Sequence, residues 1–197
     1  MVLKNEFEVS VPVEQAWPLL LDVASVAECV PGGELVEKIS DRSFKGRISV
    51  KLGPVLLTFE GLATFNEIDE ATHCARVEAR GTDKKGRGTA QANVVMRLLP
   101  NGSATRVSIV TDLQLAGSVA QYGRASGLIA EVSQHLVDDF SANLNRRIAH
   151  SAVGAATGEG DTPPLRSPAR PVSALEIAFR MLTNAVARMF KKLAGNA

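Results

Sequence analysis

Between residues 34 and 115 apolar and polar side chains alternate almost without interruption, and short turn-forming stretches cut that alternation into six strand-length pieces. A period of two puts every second side chain on one face of a sheet, so these pieces read as strands with one buried face. They run about 34–39, 43–52, 54–68, 72–81, 86–99 and 103–115, with breaks that include Gly53-Pro54, Asp69-Glu70-Ala71, Asp83–Gly86 and Pro100-Asn101-Gly102. Turns this short join antiparallel neighbours, because a parallel pair needs a crossover of a dozen or more residues. A meander of six strands follows. A further strand precedes it, where Leu3, Phe7, Val9 and Val11 alternate with Lys4, Glu6, Glu8 and Ser10.

Two regions carry helical spacing. In residues 12–33 Ala16, Leu19, Leu20 and Val23 recur at helical intervals, and Pro18 divides the segment into two short helices that end before Pro31-Gly32-Gly33. Residues 123–148 place Ala125, Ile129, Val132, Leu136, Phe140, Leu144 and Ile148 on one stripe, which predicts a single long amphipathic helix. A seven-stranded sheet with one apolar face must bury it, and this helix is the only element large enough to cover it. The expected architecture is α+β, in the order β-α-α-β6-α, with a curved antiparallel sheet wrapped around the C-terminal helix of a domain spanning 1–150.

Beyond that domain the pattern stops. Residues 151–172 lack periodicity and hold Pro163, Pro164, Pro168 and Pro171, which reads as a flexible linker. Helical spacing returns over 173–197. There Leu175, Phe179, Leu182, Val186, Met189, Phe190 and Leu193 cover one side, and Glu176, Arg180, Asn184, Arg188 and Lys192 the other. Charges interrupt every stretch long enough to span a bilayer, so this tail is expected to lie in a membrane interface. Its apolar residues would sit at the acyl boundary, with Arg188, Lys191 and Lys192 near anionic lipid. The charge distribution agrees. Residues 1–150 carry 16 basic and 18 acidic groups, and 151–197 carry 6 and 3.

Several functions are poorly supported. A net charge of +1 gives no broad basic field for nucleic acid. The opening residues alternate charged and apolar side chains instead of forming a basic n-region and an apolar h-region, so a cytoplasmic location is expected. Cys29 and Cys74 have no metal-ligand spacing, and neither do His73, His135 and His150. No nucleophile elbow or phosphate loop is present, and Gly86-Arg87-Gly88 falls in a hairpin, where glycines serve turn geometry.

The inward face of the meander is lined by small residues at its centre. Gly61, Ala63, Ala75, Ala79, Ala90 and Ala92 all fall on the apolar phase, between larger neighbours such as Ile48, Val50, Leu57, Leu113 and Leu115. Protein interiors are close-packed, so small residues either admit a helix closely or leave a cavity. On the second reading the cavity wall draws on Trp17, Phe44, Phe59, Phe65, Ala79 and Ala92. The long helix would add Leu128, Val132 and Leu136, and the connection 116–123 would bring Gln121 and Tyr122 to the entrance as a lid with two glycines.

Taken in order, five stretches resemble the carbon monoxide dehydrogenase G-subunit family of the START-like helix-grip superfamily. They are FEVSVPVEQAWPLLLD (7–22), Cys29-Val30-Pro31-Gly32, KGRISVKLGPVLLTFEG (45–61), Gly86-Arg87-Gly88-Thr89-Ala90 and GSVAQYGR (117–124). The resemblance implies a non-catalytic accessory protein of a carbon monoxide dehydrogenase-type molybdenum hydroxylase, peripheral on the inner face of the cell membrane. Its ligand would be an apolar small molecule such as an isoprenoid quinone, menaquinone or ubiquinone. Two other readings stand beside this one. One is a membrane adaptor with a filled core. The other is a cyclase- or hydrolase-type enzyme using Tyr122, His135 or Glu60.

Overall fold

The computed structural model describes residues 1–124 and 126–156. The linker from 157 onward and the tail with Leu175, Phe179, Leu182, Val186, Arg188, Phe190, Lys191 and Lys192 lie outside the described residues. Strand β1 (Val2–Val9) leads into helices α1 (Val13–Leu21) and α2 (Val23–Cys29). The meander follows as β2 (Gly33–Lys38), β3 (Ser43–Leu52), β4 (Val55–Asp69), β5 (Cys74–Asp83), β6 (Gly88–Asn101) and β7 (Ala104–Gly117). Helices α3 (Ala120–Arg124) and α4 (Ser126–Ala156) complete the described chain.

All seven strands form one antiparallel sheet in the order β1-β7-β6-β5-β4-β3-β2. Five hairpins set the neighbours in the meander, and β1 closes the far edge by pairing with β7 from Val2 opposite Asp112 to Val9 opposite Thr105. The expected phase holds: Leu57, Ala75, Leu98 and Val107 are all buried. The register shifts at two places, between Leu35 and Glu37 on β2 and between Phe65 and Glu67 on β4, and the second turns Ile68 inward onto the core.

Three boundaries differ from the sequence expectation. Pro18 sits inside α1 without ending it, because it is solvent-facing and forfeits only one backbone hydrogen bond. The break comes at Asp22, whose backbone is extended and whose carboxylate accepts from the N–H groups of Ala24 and Ser25 to start α2. Helical residues begin at Ala120 in α3, three before the start expected at 123. Helix α4 also runs on to Ala156, into the stretch read as linker, because Ser151–Ala156 is alanine-rich and the first proline comes only at Pro163.

The main core lies at one end of the sheet. Val13, Ala16, Trp17 and Leu20 of α1 fill the space between the strands and the second half of α4, meeting Phe7, Val9, Leu98, Val107 and Leu144. Phe7 and Phe140 meet edge to face at 5.4 Å. Polar ties hold α4 to the same end: Asn145 bridges the backbone of Glu8 and Ser10, and Asn143 donates to the Cys29 carbonyl.

Candidate ligand cavity

At the other end α1 and α2 are absent from the interface, and α4 lies chiefly along β1 instead of across the middle strands. Register then decides what faces the helix. Gly46, Gly61 and Gly81 stand directly opposite one another on β3, β4 and β5, and Ala90 continues the row on β6. The adjoining row is Ala63, Ala79 and Ala92. Two rows without bulky side chains leave the concave face bare where the helix has moved away. A cavity of about 530 Å³ results, within the ~300–1,000 Å³ range of small-molecule sites.

Its walls are almost wholly apolar. Ile48, Val50 and Leu57 stand on one side, Leu113 and Leu115 on another, and Ile129, Val132, Leu136 and Val137 come from α4. Gly61 is required by backbone approach as well as by space, since a Cβ there would lie 1.8 Å from the Arg80 carbonyl oxygen. Hydroxyls enter the lining only at Thr111 and Ser133, and no carboxylate is among the described lining residues. Arg47 and Arg80 belong to the lining, but their guanidinium groups are paired with Glu34 and Glu60, and with Glu78, none of which lines the cavity. Arg47, with Lys45 and Lys84, holds the Glu60 carboxyl down to about 2.

Of the eleven residues expected at a ligand site, five line this cavity: Phe59, Ala79, Ala92, Val132 and Leu136. The other six lie elsewhere. Trp17 is buried in the main core, its ring edge-on to His73 at 5.4 Å, because α1 packs at the closed end. Phe44 and Phe65 pair with each other at 6.3 Å beyond the alanine row. Leu128 is half-buried but does not reach the lining. Gln121 is exposed, and Tyr122 packs behind Val119 instead of entering the cavity. Thr111 and Ser133 escaped sequence reading because a hydroxyl on an otherwise apolar face looks like a neutral substitution. Phase was the signal that could have found Thr111, which falls between the inward residues Ile109 and Leu113.

The connection expected to act as a hinged lid is anchored. Gly117 takes φ +76 with its Cα packed against the β5–β6 hairpin, where an added Cβ would lie 2.8 Å from the Gly88 Cα. Ser118 Oγ and the Val119 N–H both donate to the Arg87 carbonyl, at 2.7 and 3.2 Å. This places Val119, only 1 % exposed, as part of the cavity wall. Arg87 is itself fixed. Its guanidinium donates to both oxygens of buried Asp83 and to the Leu56 carbonyl, while Asp83 also accepts from the backbone of Thr58 and Lys85. The start of β4, the β5–β6 hairpin and the segment after β7 are thereby held together around this ion pair, and the Arg87 guanidinium keeps the Asp83 carboxyl far below the usual carboxylate range. The glycines flanking Arg87 thus serve a hairpin whose carbonyl holds Val119 in the cavity wall.

Comparison with solved structures places this architecture among helix-grip proteins. A conserved protein from Geobacillus kaustophilus superposes with a TM-score of 0.65 at 22% identity, covering 77% of this chain and 97% of that one. A START superfamily protein from Mycobacterium smegmatis gives a TM-score of 0.51 at 11% identity, over 76% and 98% of the two chains. Norcoclaurine synthase from Thalictrum flavum gives 0.50 at 13%, over 76% and 86%. These likenesses establish the fold. No curated protein matches the chain. A family model does match, across residues 6–149 and so from β1 through most of α4. The cavity-bearing domain and the model coincide, and the chain belongs to the carbon monoxide dehydrogenase G-subunit (CoxG) family.

Proposed function

We propose that the domain is a carrier for an apolar ligand, an isoprenoid quinone, that serves a carbon monoxide dehydrogenase-type molybdenum hydroxylase at the inner surface of the cell membrane. The observation that carries this reading is the apolar cavity of about 530 Å³ between α4 and the glycine and alanine rows. The alanine row Ala63, Ala79 and Ala92 supports a carrier over a filled-core adaptor, since it borders open volume and not a closely packed helix.

The described residues fit such a ligand. A ring and its prenyl chain need apolar walls, supplied by Ile48, Leu57, Phe59 and Leu113 from the sheet and by Val132 and Leu136 from α4. Burying that surface contributes roughly 25 cal/mol per Å². General acid–base catalysis needs a converging titratable pair, whereas the lining offers two hydroxyls, and Glu60 is committed to Lys45, Arg47 and Lys84 outside it. His135 is exposed on α4 and Tyr122 lies behind the wall, which also favours a carrier over an enzyme. Among the described residues no helix is long and apolar enough to cross a membrane. The membrane role is assigned to the tail 173–197 on its sequence pattern, apolar on one side and charged on the other.

Native mass spectrometry and solvent extraction of the purified full chain test the carrier. A co-purifying quinone is expected, and protein that emerges empty and binds no added quinone would overturn the reading. Deleting 173–197 is expected to abolish sedimentation with anionic liposomes while leaving the domain folded. A truncated protein that pellets as well as the full chain would remove the tail from the proposal.

A further inference from the structure

The cavity is not uniformly apolar, and its two hydroxyls share one wall. Thr111 on β7 faces inward between Ile109 and Leu113 and stands in register with Leu3 of β1, another lining residue. Two positions further along β1, buried Asn5 accepts from Ser133 Oγ at 2.9 Å and donates to the Gln134 side chain at 2.9 Å. Ser133 is thus held by its own proton, which leaves its oxygen lone pairs for a donor in the cavity. The Thr111 hydroxyl stands half-buried in the cavity lining, where it can donate its proton to an acceptor bound there.

Charge around this wall is one-sided in what it omits. Among the described residues no carboxylate lines the cavity, and Arg47 and Arg80, which do, are drawn by Glu34, Glu60 and Glu78 into ion pairs outside it. An anionic head group would be desolvated there without a counter-ion, which is strongly unfavourable, whereas a neutral oxygen needs a single hydrogen bond.

We infer that the wall formed by Thr111 and Ser133 is the head-group subsite of the cavity and that it selects an uncharged carbonyl- or hydroxyl-bearing ring over a carboxylate. This rests on the carrier reading above and places the head group on the side of the cavity where α4 meets β1 and β7. Thr111 donates to a ring carbonyl. Ser133 accepts from a ring hydroxyl, so the pair accommodates either.

The test uses the full chain and three probes that share a tetramethyl six-membered ring: duroquinone, the parent hydrocarbon durene, and 2,3,5,6-tetramethylbenzoate. Duroquinone is expected to bind the wild type more tightly than durene, and tetramethylbenzoate more weakly than either. Thr111→Val, which keeps the shape and removes the hydroxyl, is expected to weaken duroquinone about fivefold, the effect of one neutral hydrogen bond, and to leave durene unchanged. Thr111→Ser is expected to restore the quinone affinity. Equal duroquinone affinity in wild type and Thr111→Val, with durene still bound, would place the head elsewhere and leave the carrier reading intact. Loss of durene together with duroquinone in Thr111→Val, or tight binding of tetramethylbenzoate, would likewise overturn the subsite. Binding of neither neutral probe to the wild type would overturn the carrier reading itself.

Discussion

The two ends of α4 meet the same sheet with opposite results. The second half of the helix packs solidly, because α1 inserts Val13, Ala16, Trp17 and Leu20 between it and the strands. The first half faces Gly46, Gly61, Gly81 and the alanine row, with no intervening helix, and the gap persists as a cavity. One end therefore provides stability and the other provides volume. The difference does not lie in hydrophobicity, since both faces are apolar. It lies in side-chain size and in the third layer that only one end possesses, and close packing makes both decisive.

Substitutions can break that comparison at four levels. The largest effect is expected at Gly61→Val, where even a Cβ meets the Arg80 carbonyl at 1.8 Å. Loss of folding, or of more than about 3 kcal/mol in urea denaturation, is expected. A stable Gly61→Val protein would mean that the glycine row is not needed for sheet curvature. The next effect contrasts the two ends directly. Leu20→Ala, in the packed core, should cost about 2–5 kcal/mol, while Leu136→Ala, on the cavity wall, should cost less than about 2, because the wall side chain is already without neighbours on one side. Equal costs would mean that both ends are packed alike.

A smaller change in stability is expected on filling the cavity. Ala92→Phe would place a ring in existing space and should shift stability by less than about 1 kcal/mol, against the ~1–3 kcal/mol of overpacking a full core. Quinone binding should disappear with it, as equilibrium titration would show. A variant that unfolds would argue for a filled interior.

The finest distinction uses acid. Asp83 has a folded-state pKa held below its unfolded value of about 3.9 by Arg87. Its contribution to stability is therefore fully present above that value and is lost as pH falls from about 4 through the folded pKa. Hydrogen exchange at Val119, tethered to the Arg87 carbonyl, should accelerate in this window before exchange at the packed end does. An Asp83→Asn variant should lose that extra acid dependence. Uniform acceleration along the sheet in the native protein would show that the clamp does not hold Val119 separately.

Much of this molecule is legible in its sequence because the governing signals are local. Period-two alternation located every strand of the meander to within about two residues and assigned the inward phase of Leu57, Ala79, Ala92 and Leu113 from neighbours in the chain alone. The helical stripe of Ile129, Val132, Leu136 and Leu144 is similarly local, and so is the turn chemistry that forces the strands to be antiparallel. What the tertiary structure decided are relations between residues far apart. Register brings Gly46, Gly61 and Gly81 into one row, a bulge after Phe65 turns Ile68 inward, and Arg87 reaches Leu56 on β4, Asp83 at the end of β5 and Ser118 beyond β7. Trp17 and Tyr122 show the same limit from the other side: their aromatic character was plain, but which void or core each would meet depends on where α1 and α3 dock. A periodic pattern reports the face on which a side chain stands. Only the pairing of strands and the placement of helices determine what lies opposite that face, and hence whether small residues admit a close neighbour or leave room for a ligand.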